Sequence, residues 1–209
     1  MIQIETLKTA EEIIGGVANP LKLDTCSSNL SAFDCKTGSI LAKIKGSVCE
    51  DCYARKGNYR FPNVQKALSK RTKLIGDKNW VNAWVYVIQN KKKITKTKLF
   101  RHFDSGDIQN KEHLKKIIEV ARRTPETKHW LPTKESNIIK NYKERIPSNL
   151  IIRLSGTMVN GKPPAYTYTS TVSTDTNKAT CRAFENEGKC NGCTMCWDKS
   201  IKNITYLKH

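Results

Sequence analysis

Between Thr97 and Met158 two rhythms of apolar and polar residues succeed one another in turn. "TKLFRHFDS" (Thr97 to Ser105) reads as a strand that stops at Gly106. "NKEHLKKIIEVARRTP" places Leu114, Ile117, Ile118 and Ala121 on one helical face, and Pro125 ends it. "KHWLPTKE" predicts a second strand, "SNIIKNYKERI" a second helix and "NLIIRLSGTM" a third strand. Strands and helices alternating at this spacing predict parallel pairing through right-handed crossovers. The expected fold class is α/β, built as an incomplete (β/α) barrel or an open parallel sheet with irregular Cys-rich segments at both ends.

Upstream, "RFPNVQKALSKRTKLIG" predicts a helix opened by Pro62, with Val64, Ala67, Leu68, Arg71 and Leu74 or Ile75 at helical spacing. "DKNWVNAWVYVIQNKKK" predicts another, capped by Asp77 or Asn79, with Trp80, Trp84, Val87 and Ile88 on one face. The first sixty residues follow neither rhythm and read as loops with one or two short strands. After Met158, "NGKPPAYTYTSTVSTDTNKAT" reads as a loop and then an exposed or edge strand, and "SIKNITYLKH" suits a closing strand. A single domain over 1–209 is expected. Its parts are an irregular Cys-containing segment (1–60), an α/β body (61–158) and a Cys-rich segment (159–209) packed on that body. A chain of 209 residues buries about 70% of its unfolded surface and needs no cross-links to replace a core.

In parallel sheets chemistry collects at the carboxyl ends of the strands. The first strand delivers His102, Asp104, Ser105 and Asp107 there, the second Thr133, Lys134 and Glu135, the third Arg153, Ser155 and Thr157. Any one of these has an ordinary alternative as a helix cap, Asp107 or Asn110 for one helix and Ser136 for the next. Three loaded strand ends in succession favour a pocket. In it Asp104 and Asp107 are candidate acid/base or hydroxyl-binding groups, Lys134 and Arg153 candidate anion anchors, and Glu135 their partner. Ser105, Thr133 and Ser155 are candidate cofactor-binding residues.

Charge and cysteine content change the picture further. Lys and Arg number 37 against 19 Asp and Glu, a formal charge of +18. Such a field attracts polyanions and makes a nucleotide or nucleic acid an eligible partner. Only "NKKKITKTK" (Asn90 to Lys98) is dense, so charge alone names no target. "MIQIETLKTAEEIIGG" lacks a basic stretch followed by an apolar one, and no run approaches the roughly 18 apolar residues of a membrane span. A cytoplasmic protein with no membrane partner is expected, in a compartment where clustered thiols bind metal more often than they form disulfides.

Eight cysteines fall into two sets. Cys181, Cys190, Cys193 and Cys196 close the chain in "CRAFENEGKCNGCTMCWD", the last three at strict two-residue gaps. Cys26, Cys35, Cys49 and Cys52 lie upstream at looser spacing, with Cys49 and Cys52 a Cys-x-x-Cys pair. Converging thiolates select zinc or an iron–sulfur cluster. Two Cys-x-x-Cys knuckles on one tetrahedral ion would be zinc. The rhythm of Cys190, Cys193 and Cys196 matches the ferredoxin run that wraps three corners of a cubane, with Cys181 available for the fourth, although no Cys-Pro follows. Spacing favours a [4Fe-4S] site there. The upstream set is a candidate for a second cluster, a zinc ion or extra ligands, and Cys35, Cys49 and Cys52 alone would leave one iron open. Trp197, directly after Cys196, is placed to shield a metal from water.

The segments "CEDCYARKGNYRFPNVQKALSKR", "FRHFDSGDIQNKEHLKKIIEVARRTPETKHWLPTKE", "IRLSGTM" and "CNGCTMCWD" together resemble the phage gene product 88-like family, over about Cys35 to His209. That resemblance implies a protein made by a bacterial virus in the host cytoplasm, in a family of unknown function. More distantly, the "CEDCYA" element feeding βα units is similar to radical-SAM-type partial barrels. There three cysteines hold a [4Fe-4S] cluster whose open iron chelates S-adenosylmethionine, which this likeness makes a candidate cofactor. The strict CxxxCxxC motif is absent. The expected function is an iron–sulfur protein with a radical-SAM-like body, acting by redox or radical chemistry on a nucleotide or nucleic acid. The alternatives are a zinc module that binds nucleic acid and a non-enzymatic cluster protein acting on a host protein; whether the chain is an enzyme stays open.

Overall fold

The strongest helical period in the sequence forms α6 (Lys111–Arg123). Asn110 caps it by accepting from the His113 amide at 2.8 Å, and Leu114, Ile117, Ile118 and Ala121 are all but sealed from solvent. Their face packs against α4 (Trp80–Asn90), which contributes Trp80, Trp84, Val87 and Ile88. The computed structural model describes residues 3–208. α3 (Pro62–Leu74) opens on Pro62, where the missing amide hydrogen goes unneeded. Three helices were not expected, one of them α2 (Lys36–Leu41) in the Cys-containing segment. α1 (Leu7–Ile14), capped by Thr6, lies against α4, and α5 (Lys92–Thr97) occupies the dense basic run.

Five strands, β1 (Leu99–Arg101), β2 (Lys128–Thr133), β3 (Leu150–Val159), β4 (Thr169–Ser173) and β5 (Asn203–Leu207), pair in chain order, all parallel. They form a curled half-barrel, so the α/β reading holds in its incomplete-barrel version. Side chains alternate across it. Phe100, Leu131, Leu150 and Ile152 join the helices in the main core. Trp130 and Ile151 point the other way and pack with Leu23, Trp197, Leu99, Tyr168, Cys190, Cys196 and Tyr206. The concave face is therefore filled from the C-terminal segment.

Several expectations need correction. β4 is an interior strand between β3 and β5, not an exposed or edge strand. Its buried hydroxyls are satisfied by neighbours: Ser170 Oγ donates to Ser155 Oγ at 3.1 Å, and Thr171 and Thr205 hydroxyls lie 3.0 Å apart. Among the described residues up to position 60 there is no strand, only isolated bridges and short helices. β1 is shorter than Thr97 to Ser105 because Phe103 takes a left-handed φ of 57° and turns the chain out of the sheet. α7 (Ser136–Lys140) ends well before the periodic run does. Among the described residues no helix is long and apolar enough to cross a membrane.

Candidate metal and ligand site at the mouth of the half-barrel

The turn out of β1 sets the site. Phe103 is bulky and at positive φ, a conformation of high cost for such a residue and one that collects at functional sites. Its amide is held by Ser28 Oγ at 3.2 Å. Gly106 follows at φ 82°, where a Cβ would sit 2.6 Å from Leu30 Cβ, so only glycine passes there. Between them the turn presents Asp104 and Ser105, whose hydroxyl donates to Leu30 O at 2.9 Å.

Asp107 is buried and accepts three hydrogen bonds, from Thr133 Oγ1 at 2.6 Å, Lys134 N at 2.8 Å and Ile108 N at 2.8 Å. Burial nonetheless pushes its pKa up to about 6, the hydrogen bonds opposing. It thus ties the end of β2 to the loop after β1 and does not cap α6. Glu135 reaches across to Thr37, accepting from its amide and hydroxyl at 2.9 Å each. That pair anchors α2 (Lys36–Leu41), the short helix that begins just after Cys35. The loop carrying Cys49 is fixed to the end of β3, Val48 N donating to Thr157 O at 2.9 Å.

Cys35, Cys49 and Cys52 therefore meet at the carboxyl ends of β1 to β3. Burial drives the Cys35 thiol far above its ordinary range, and Asp107, Cys52 and Cys49 add to the shift while Lys134 opposes it. Cys49 is raised by burial and drawn down by Lys134. A Cβ on Gly38 would lie 3.7 Å from both the Cys35 and Cys49 sulfurs, so glycine leaves the space between them open. Cys26 is not part of this group. It is 1% exposed in the main core and faces Lys91, Lys93 and Glu11.

The second set gathers on the concave face. Cys193 N donates to Cys190 O at 2.9 Å in a tight knuckle, just as Cys52 N donates to Cys49 O at 3.3 Å. Cys190 N is bound to Lys22 O at 2.9 Å and Cys181 N to Thr205 O at 3.0 Å, fixing the segment to the loop before Leu23 and to β5. The Cys196 sulfur lies 3.3 Å from the Tyr206 hydroxyl. Burial lifts the Cys196 thiol to about 11; Tyr206 and Arg101 draw it down and Cys181 and Cys190 push it up. Cys190 is raised by burial and by Cys181, and lowered by Lys22. Trp197 Nε1 donates to Phe100 O at 3.0 Å and its ring meets Trp130 edge-on. All eight thiols are free. Among the described residues, no three His, Cys, Asp or Glu side chains converge tightly enough for a single metal ion.

Arg153 was a candidate anion anchor. The structure places it, 0% exposed, under the C-terminal segment. There it donates to the carbonyls of Cys196 at 3.0 Å, Ile201 at 2.9 Å, Asp198 at 2.7 Å and Met195 at 3.3 Å. Its role is to hold the thiol-bearing loop down. His102 is not at the mouth either; it stacks on His129 on the helix side, with ring nitrogens 3.2 Å apart. Ser155 and Thr133 are engaged with Ser170 and Asp107, and Thr133 Oγ1 also accepts from Glu135 N at 3.1 Å.

What the sequence reading missed is Arg101. It is 8% exposed, its guanidinium lies 4.7 Å from the Trp130 ring centre, and it faces Tyr53, Asp104, Cys190 and Cys196. Lys22 is beside it, its ammonium made less basic by burial and by Arg101, with Cys190, Asp104 and Cys196 opposing. The Tyr53 hydroxyl donates to Asp104 O. An arginine at the end of a buried strand, with Phe100 before it and His102 and Phe103 after it, was the available signal. Among the described residues these two cations form no ion pair with a carboxylate; they stand against the C-terminal thiols, and Lys134 against the N-terminal ones.

No curated protein and no solved structure matches the chain. A family model, Gene product 88, matches residues 6–191. The chain belongs to the Gene product 88 family of phage proteins.

Proposed function

We propose that this protein is an iron–sulfur protein that carries its cluster chemistry at the mouth of the half-barrel. The observation that carries the reading is the sorting of seven of the eight free cysteines into two groups, each faced by cations. Thiolates bound to iron bring excess negative charge into a buried site, and such charge requires compensation. Lys22 and Arg101 supply it beside Cys190 and Cys196, and Lys134 beside Cys35 and Cys49.

The donor sets fit the group. Cys181, Cys190, Cys193 and Cys196 would hold one [4Fe-4S] cluster with all four positions closed. Cys35, Cys49 and Cys52 would hold a second with one iron open to a ligand, next to the space that Gly38 leaves. Zinc at about 2.3 Å from each sulfur needs four sulfurs within about 4 Å of one another, whereas a multi-iron core spans a wider set of thiolates. When bound, the clusters would supply one-electron redox chemistry. The residues of the chain fix the thiol loops through Glu135 and Arg153, exclude water with Trp197, and balance charge. The radical-SAM-like part of the reading is supported by the half-barrel sheet and by thiols near its carboxyl end.

The test is to purify the protein without oxygen and count iron, labile sulfide and zinc per chain. The same counts are made for two variants, one with Cys190, Cys193 and Cys196 changed to Ala and one with Cys35, Cys49 and Cys52 changed to Ala. Iron and sulfide in near-equal amounts, falling in part in each variant, support the reading. Zinc without sulfide would replace it with the zinc-module alternative.

A further inference from the structure

Three buried polar atoms on the concave side have no hydrogen-bond partner among the described residues: Arg101 Nε, Trp130 Nε1 and Asp104 Oδ1. A buried donor or acceptor left unpaired is destabilising, so three together point to something that satisfies them. They are neighbours in the fold. Trp130 is the register partner of Arg101 and lies beneath its guanidinium. Asp104 follows three residues later and feels the Arg101 charge; one of its oxygens accepts from Ser27 Oγ at 2.9 Å, and the Asn29 amide and the Ser105 N–H lie close to the carboxyl without meeting Oδ1 at hydrogen-bond geometry. Arg101 and Asp104 are each 8% exposed, and no ion pair within 4.0 Å joins them. The phenol of Tyr53 and the ammonium of Lys22 complete the surroundings.

Two N–H donors beside two cations call for an anionic oxygen group. A carboxylate oxygen next to them calls for an N–H or O–H donor on the same molecule. We propose that Arg101, Trp130 and Asp104 form a small-molecule subsite between the two thiol groups, for a ligand whose carboxylate or phosphate lies next to an ammonium or hydroxyl. An α-amino acid moiety and the sugar phosphate of a nucleotide share this chemistry. The subsite rests on the preceding reading for what lies beside the ligand; the three unpaired atoms stand without it.

The experiment is ligand-observed saturation-transfer NMR on the full chain, purified without oxygen, with serine and with adenosine monophosphate as probes. Iron is counted in every sample. Binding of serine assigns the α-amino acid arm and binding of adenosine monophosphate the phosphate arm. Arg101→Lys keeps the charge that faces the thiols but removes Nε, and Asp104→Asn removes the carboxylate charge. Each is expected to weaken the bound probe by about tenfold or more, the loss of one charge-assisted hydrogen bond, with iron content unchanged in Asp104→Asn. The proposal is overturned if neither probe binds, or if both variants bind as the parent does. Loss of iron from Arg101→Lys together with the probe would also overturn it, because Arg101 would then serve the thiols alone. Absence of iron from the parent with probe binding intact would sink the cluster reading and leave the subsite standing.

Discussion

Replacing Arg153 with Met tests how the C-terminal thiols are held. The side chains are close in volume, so the change removes the guanidinium without opening a large cavity. Four bonds disappear, at 2.7, 2.9, 3.0 and 3.3 Å. A hydrogen bond from a charged donor contributes about 1.5–3 kcal/mol, and the longest of the four counts for little. Part of the loss is recovered when the loop lifts and its carbonyls meet water, so about 3–5 kcal/mol is a reasonable net figure, in line with breaking other buried charged contacts. In a chain of this size each kcal/mol shifts the melting temperature by about 2–4 °C, so a fall of about 6–20 °C is expected. The loop should open before the rest. Thiol titration with a chromogenic disulfide, below the melting range, should show Cys190 and Cys196 reacting fast, and trypsin should cut at Lys189 and Lys199. A variant that melts within about 2 °C of the parent, with the same thiol kinetics, would show that Arg153 does not anchor the segment.

Four further outcomes follow from the same geometry. Cys26→Ala should leave the iron count unchanged while lowering stability, because Cys26 sits in the main core away from both thiol groups; loss of iron would make it a ligand. Gly38→Ala gains helix propensity of about 1 kcal/mol, so the fold should hold, but its Cβ would crowd Cys35 Cβ at 3.0 Å and the space between two sulfurs; metal analysis should show iron reduced at the N-terminal group only. Glu135→Ala removes both anchors of Thr37 and should cost about 1–2 kcal/mol in a urea titration, with faster alkylation of Cys35. Stability should also fall with acid. Burial holds His113 and His129 at a pKa of about 3, so below about pH 6.5 the unfolded chain binds protons that the folded chain refuses, and together they lose about 2.7 kcal/mol per pH unit. Asp107, raised to about 6, runs the other way between about pH 6 and about pH 4 and returns about 1.4 kcal/mol per unit there. Urea midpoints at pH 7.5 and 5.5 should differ accordingly, and the slope should flatten in His113→Gln.

The body of the fold was legible because its apolar spacing is strong. α6 and α4 bury the faces that their periodicity marks, and the parallel order follows from the crossover lengths. β4 was misplaced because a run of Thr and Ser resembles an exposed strand; cross-strand hydroxyl pairs let it sit inside. α1 was missed because eight residues give little periodicity, and their stability comes from packing on α4. The site was legible as a set of thiols and strand-end polar residues, but not as an assembly. Nothing local separates Cys26 from Cys35, or shows that Arg153 binds carbonyls of a segment some forty residues onward. Arg101 escaped notice because its unpaired nitrogen is a property of the fold, not of the word "FRHFD".

Native mass spectrometry of the oxygen-free protein tests the central claim most directly. The expected spectrum shows the 23.7 kDa chain carrying added mass that matches iron and sulfide in equal number, lost in part when Cys190, Cys193 and Cys196 are replaced. A spectrum of the bare chain, with all eight thiols open to alkylation and the fold intact, would contradict it.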